Sequence, residues 1–197
     1  MKKTIYLLLF AFIATTTFVS CEDEEETKSP FITVKMGAQS NTTIGAFYSI
    51  EMNSVYNQAV AFTKQDTIDF LCFYEHDEIN DRINDMTLAS PGANITDIFV
   101  DDITTSPDVW TTKNLTKFQE PNPAMTVAQF DLLKETDAII ETSFDNTVLS
   151  GNKKAKLLAV NDIYAFKTHN NQYGLLKVTE VLEGNDGYIK FVYIIKK

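Results

Sequence analysis

Glycine is scarce in this chain, with seven in 197 residues. No P-loop, dinucleotide glycine fingerprint, nucleophile elbow or HExxH pattern occurs. Loops that cradle phosphate on backbone N–H groups are therefore hard to build. Only two cysteines are present, Cys21 and Cys72, so at most one internal disulfide is available. Histidine is equally rare, at His76 and His169. No apolar run approaches the roughly 20 residues that a membrane-spanning helix requires. Cations are outnumbered, with 17 lysines and arginines against 27 acids and a net charge of −10. Such a balance argues against nucleic acid as a partner, because that binding is dominated by cations meeting phosphates.

What is present begins with the first 27 residues. Met1-Lys2-Lys3 precedes a short apolar run from Ile5 to Ala14, the charged and hydrophobic regions of a secretory signal. Phe18-Val19-Ser20-Cys21 follows and resembles a lipobox, in which a small residue precedes a cysteine that becomes the acylated first residue. The expectation is a signal peptide at residues 1–20 and a lipid on Cys21. Acyl chains hold a protein to a bilayer at roughly 0.8 kcal/mol per buried CH₂. Glu22-Asp23-Glu24-Glu25-Glu26 comes next and resembles the acidic export signal of Bacteroidetes surface lipoproteins. Residues 21–30 then read as an acidic tether, and the resemblance implies an outer-membrane, cell-surface location. Acids alone would be repelled by an anionic membrane, so the lipid must be the anchor.

Loss of 20 residues leaves 177, and a charge of −12 once Lys2 and Lys3 are gone. That is one ordinary domain's length, assigned to residues 31–197. With 44% hydrophobic and 12% aromatic residues the chain can bury a sizeable core. The expected fold is mainly β: a single antiparallel sandwich or meander with one or two short helices. Strands are expected at 31–36, 44–52 and 67–75, with both faces of the last covered. Residues 53–58 read as a turn, 76–85 as an acidic loop, and 88–94 as turn-rich. A short strand is expected within 97–103. Thr126 and Gln129 match a capping box, which places a helix in 126–144, with a restart at Asp137. Residues 151–154 read as a turn. Strands at 162–168, 173–182 and 188–196 close a meander with alternating apolar faces.

Few candidate sites emerge. Cys72 lies in an apolar run and reads as a small buried hydrophobe. With Cys72 and His76 on one strand, four residues span about 13 Å, too far for a catalytic dyad. The 77–85 acids can offer carboxylates to calcium, but they lack the glycine and terminal glutamate of an EF-hand; the competing reading is a solvated loop. His76 and His169 can ligate one metal or haem iron, while their polar neighbours read as exposed turns. Asp66-Thr67-Ile68 resembles the Asp-Thr-apolar site of Bacteroidetes O-glycosylation, which makes Thr67 a candidate. Exposed aromatics such as Trp110 would serve a glycan-binding or carbohydrate-active protein.

The stretch Asn161-Asp162-Ile163-Tyr164-Ala165-Phe166-Lys167-Thr168, with Tyr173-Gly174-Leu175-Leu176-Lys177-Val178 and Gly187-Tyr188-Ile189-Lys190-Phe191, resembles the closing strands of HmuY-type haem-binding lipoproteins. Asp66 to Phe70 is loosely similar to an upstream strand of that family. The resemblance covers about a quarter of the chain. It implies an all-β fold and haem held by paired axial side chains. The composite expectation is a non-enzymatic, lipid-anchored binding or accessory module for nutrient capture. Its partners would be the membrane, through the lipid, and a small molecule or an outer-membrane protein. No cofactor is expected on the residues alone; haem is the alternative that the resemblance raises.

Overall fold

Alternating apolar residues build two antiparallel sheets of five strands each. The structure, a computed structural model, describes residues 29–80, 82–147 and 152–197. The leader, Cys21 and most of the acidic tether lie outside the described residues, as does Asp81.

The first sheet has the order β1 (Ile32–Gly37), β10 (Tyr188–Ile195), β9 (Tyr173–Leu182), β8 (Ile163–Lys167), β6 (Lys117–Gln119). The second runs β3 (Ser54–Tyr56), β2 (Phe47–Ser49), β4 (Phe70–Asp77), β5 (Arg82–Ala89), β7 (Lys154–Ala155). The fold is a mainly β sandwich, as expected. Between the sheets lies a core of Met36, Tyr48, Phe70, Cys72, Leu88, Phe118, Phe166, Leu176, Phe191 and Tyr193. Phe70 is its hub, with the rings of Tyr48, Phe118, Phe166 and Phe191 centred 5.3 to 6.2 Å away.

Each sheet is also covered on its outer face. Residues alternate along β4, so Leu71 and Phe73 point away from Phe70 and Cys72. They pack with Phe47, Phe99 and Trp110, and with Ala61 of the short helix α1 (Gln58–Phe62). On the other sheet, Phe130 of α2 (Val127–Phe130) and Ile140 of α3 (Ile139–Thr142) cover Ala165, Leu175 and Ile194. The two-sided burial expected for the strand near residue 70 is present, and it explains why that run is apolar on both faces.

Several local expectations are corrected. The strand expected over 44–52 keeps only β2, because the chain turns after Ile50 and Asn53 takes a left-handed φ of 44°. The expected turn at 53–58 instead forms β3 and the start of α1, whose first turn is capped by the Asn57 side chain. The strand expected from residue 67 begins at Phe70, since Gln65–Thr67 is a 3-10 turn. The expected acidic loop at 76–85 is a hairpin: β4 continues to Asp77, Glu78–Asn80 makes a 3-10 turn, and β5 starts at Arg82. Leu88 and Ala89, read as part of a turn, end β5. No strand forms within 97–103; that segment turns and drops Phe99 onto the outer core instead. The expected turn at 151–154 includes the start of β7.

The capping box is formed: Gln129 N–H donates to Thr126 Oγ1 at 3.3 Å, and Thr126 N–H donates to Gln129 Oε1 at 2.8 Å. Its helix lasts only four residues, and α3 is a second four-residue helix beginning two residues after Asp137. The closing meander matches expectation to within a residue or two at each strand end. No helix among the described residues is long and apolar enough to cross a membrane.

Candidate functional site

Sequence-distant segments meet at the end of the sandwich where β8 turns into β9. Residues 168–172 form a tight turn, closed by Thr168 N–H donating to Gln172 O and Asn171 N–H donating to Thr168 O, at 2.9 and 3.0 Å. Asn171 adopts φ 65° to make it. Beside this turn lie the segment entering β6 and the segment leaving α3. Together they line a groove of about 490 Å³ that includes Lys113, Lys117, Lys167, His169, Asn146 and Phe144. That size suits a small-molecule ligand.

The groove's charged lining is entirely cationic, on a chain whose net charge is −10. Lys167 Nζ donates to Asn146 Oδ1 at 3.0 Å and sits 4.8 Å above the Tyr173 ring. Tyr173 donates to the same Oδ1, also at 3.0 Å. Lys113 Nζ donates to the Asp108 carbonyl at 3.1 Å. Asn114, at the groove floor, donates to the carbonyls of Asp66 and Ile68, which ties the groove to the chain just before β4.

His169 is set by Asp69, 100 residues earlier. Its Nδ1 lies 3.6 Å from Asp69 Oδ1, an ion-pair separation rather than a hydrogen bond. Asp69 is buried, and its Oδ2 accepts from Ile50 N–H at 2.9 Å. Burial holds its carboxyl above the usual range; the Ile50 N–H and His169 oppose that, and Glu51 adds to it.

The sign of the linkage follows. A folded-state value above the unfolded one means Asp69 contributes stability below the ordinary carboxylate range, and that contribution is lost as pH rises through the raised value. Asp69→Asn keeps an acceptor for Ile50 without a charge. Its stability relative to the parent should therefore climb with pH across the carboxylate range and level off above it. Urea unfolding over a pH series measures this; two parallel curves would refute it.

The other sequence candidates lie elsewhere. His76, at the far end of β4, faces a separate shallow pocket with Gln39, Asp97 and Asn185. Its Nε2 is 3.7 Å from Glu78 Oε1. The seven residues separating Asp69 from His76 span roughly 23 Å of strand, so the two histidines do not converge. His169 is in an exposed turn, as expected, with its ring beside the buried Asp69; His76, expected in a turn, is instead an exposed residue on β4. Cys72 is fully buried, as expected, and burial pushes its thiol well up. Cys72 lies in the core, while His76, four residues on near the end of β4, is exposed. Thr67 is half-buried in the 3-10 turn, its hydroxyl donating to Lys64 O at 3.0 Å. Trp110 is not an exposed platform: it is buried at 4% exposure and stacks near Phe47, and its indole N–H donates to Thr105 O.

Among the described residues, the acids of 77–85 do not gather into a cation site. Asp85 turns inward, accepting from Leu157 N–H at 2.6 Å and from Thr87 at 2.8 Å. No group of three or more metal-ligating His, Cys, Asp or Glu residues occurs among the described residues. A cluster that sequence reasoning missed stands here instead: Asp85 and Glu75 face each other across the hairpin, with Lys156 Nζ 3.7 and 3.9 Å from their carboxylates. Lysine and acids are 71 or more residues apart, so no local pattern signals it. Compared with known protein families, with curated proteins and with solved structures, the chain matches none.

Proposed function

We propose that this chain is a non-enzymatic capture module, carried on the outer membrane by an acylated Cys21, with the lysine-lined groove as its ligand surface. One observation carries the binding role: the groove gathers Lys113, Lys117, Lys167 and His169 at one end of the sandwich. Rigid strands hold loops that carry the polar groups, the arrangement through which loop-borne binding sites work.

The location rests on Lys2, Lys3, the apolar run and Ser20-Cys21 followed by five acids. Intact mass spectrometry of the membrane fraction is expected to find a diacylglycerol on Cys21 and no leader. Cys21→Ser should move the protein to the soluble fraction. A bare sulfur on the membrane-bound parent, or a leader still attached, would overturn the anchor. Haem capture is the second reading, favoured by the position of His169 in the groove. It then requires ligation by one imidazole from this site rather than by both histidines. A haemin titration with no Soret shift, or a shift that His169→Ala leaves unchanged, removes it.

A further inference from the structure

We infer that the groove recognises an organic anion, a carboxylate or sulfate on a sugar-sized ligand. Lys117 and Lys167 supply the opposing charge, and the imidazolium form of His169 adds a donor at Nε2. This rests on the groove being the ligand surface.

Three features of the groove support the ligand class. First, its side chains present donors rather than acceptors. Lys113, Lys117 and Lys167 line it, and no aspartate or glutamate does. Lys117 is half-buried and pairs with Lys167 through the backbone, and its ammonium makes no hydrogen bond or ion pair among the described residues. Asn146 Oδ1 is already occupied by two donors, Lys167 and Tyr173. Its amide N–H groups are what remains to offer.

Second, the acid at the groove does not neutralise it. Asp69 lies beneath His169, with one oxygen engaged by Ile50 N–H and the other turned to Nδ1. That contact leaves Nε2 as the nitrogen available to a ligand. With Nδ1 turned to the carboxylate, Nε2 accepts in the neutral ring and donates only in the imidazolium. The 3.6 Å separation from Asp69 biases the ring's orientation without a hydrogen bond to fix it.

Third, size and surface exceed what a bare ion needs. About 490 Å³ is far more than one sulfate or phosphate occupies. Phe144 and the half-exposed Leu115 add apolar lining against which a pyranose ring can rest. A neutral sugar would leave the three ammonium charges without an opposite charge in the groove. An acidic one satisfies them with short, charge-assisted hydrogen bonds.

The test uses the full mature chain in detergent, titrated separately with glucuronate, glucose 6-sulfate and glucose. Backbone amide shifts and calorimetry are the readouts, at low and at moderate salt. Glucuronate, glucose 6-sulfate or both should bind at the groove, and glucose should bind at least tenfold more weakly. Lys117→Ala and Lys167→Ala should each weaken binding of the acidic sugar about tenfold, the factor given by losing one charged hydrogen bond of roughly 1.4 kcal/mol. Lys117→Arg should restore most of it, and Lys196→Ala, away from the groove, should change nothing. Added salt should weaken binding. His169→Gln should lower affinity and flatten its dependence on pH, which a merely structural role would not do.

The carboxylate and sulfate arms decide between the two anions. If glucose binds in the groove as well as the acidic sugars do, the anion inference falls while the groove remains the ligand surface. If shifts from acidic sugars appear outside the groove, or if none of the three probes shifts it, both fall.

Discussion

Phe70→Ala is expected to lower the unfolding free energy by about 3–5 kcal/mol, the range for removing a large aromatic from a packed core. Phe70 is fully buried, and its ring meets four others drawn from both sheets. No neighbour can swing in to fill the space, because Tyr48, Phe118, Phe166 and Phe191 are themselves buried against one another and the strands. The variant should also disturb the groove, since Asp69 is the next residue and holds His169. Urea unfolding gives the stability and the His169 ring resonances give the local effect. A loss below about 1 kcal/mol would mean that the sheets are not joined through this ring.

Gly174→Ala is expected to cost about 1–3 kcal/mol by overpacking. Gly174 pairs with Phe166 across β8 and β9. A Cβ at Gly174 would lie 2.2 Å from the Phe166 ring and 2.8 Å from Ile194 O. The ring is buried and packs edge-on against Phe70, so it cannot move aside without opening the core. Gly174→Ala with Phe166→Leu should recover part of the loss, which separates a steric clash from a general strand effect. Equal stability of parent and Gly174→Ala would contradict the packing.

The C-terminal meander was legible because its pattern is local. Tyr164 and Phe166, Leu176 and Val178, and Ile189, Phe191 and Tyr193 alternate at the strand period, and Asn and Gly mark the turns. Along β4 the apolar run also told correctly that both faces would be covered. The N-terminal half was harder. Strands β2 and β3 are three residues each, too short for a period to show. Residues 76–85 read as a loop because they are acidic, yet cross-strand pairing of Glu75 with Asp85 and of Tyr74 with Met86 makes them a hairpin. Composition favours a solvated loop, and pairing overrides it. Trp110, in a Thr-rich stretch, had no alternating neighbours to mark it as core.

The candidate groove was nearly invisible. His169 was visible as a rare residue, but Asp69 stands 100 positions away with nothing in the pattern to join them. Lys113, Lys117 and Lys167 come from one loop and two strands, and a lone lysine in an acidic chain reads as an ordinary solvated charge. Only the pairing of β6 with β8 brings Lys117 opposite Lys167. Whether the two histidines act together was equally open in the sequence. It is the length of β4 that separates them.

The most direct measurement is an amide-shift map of the full mature chain against a mixed library of small acidic, basic and neutral fragments. The account predicts that acidic fragments perturb amides clustered at 113–117, 144–146 and 167–171, and that basic fragments do not. Perturbations gathered instead around Gln39, His76 and Asn185, or scattered without a cluster, would contradict the claim that this groove is where the sandwich takes its ligand.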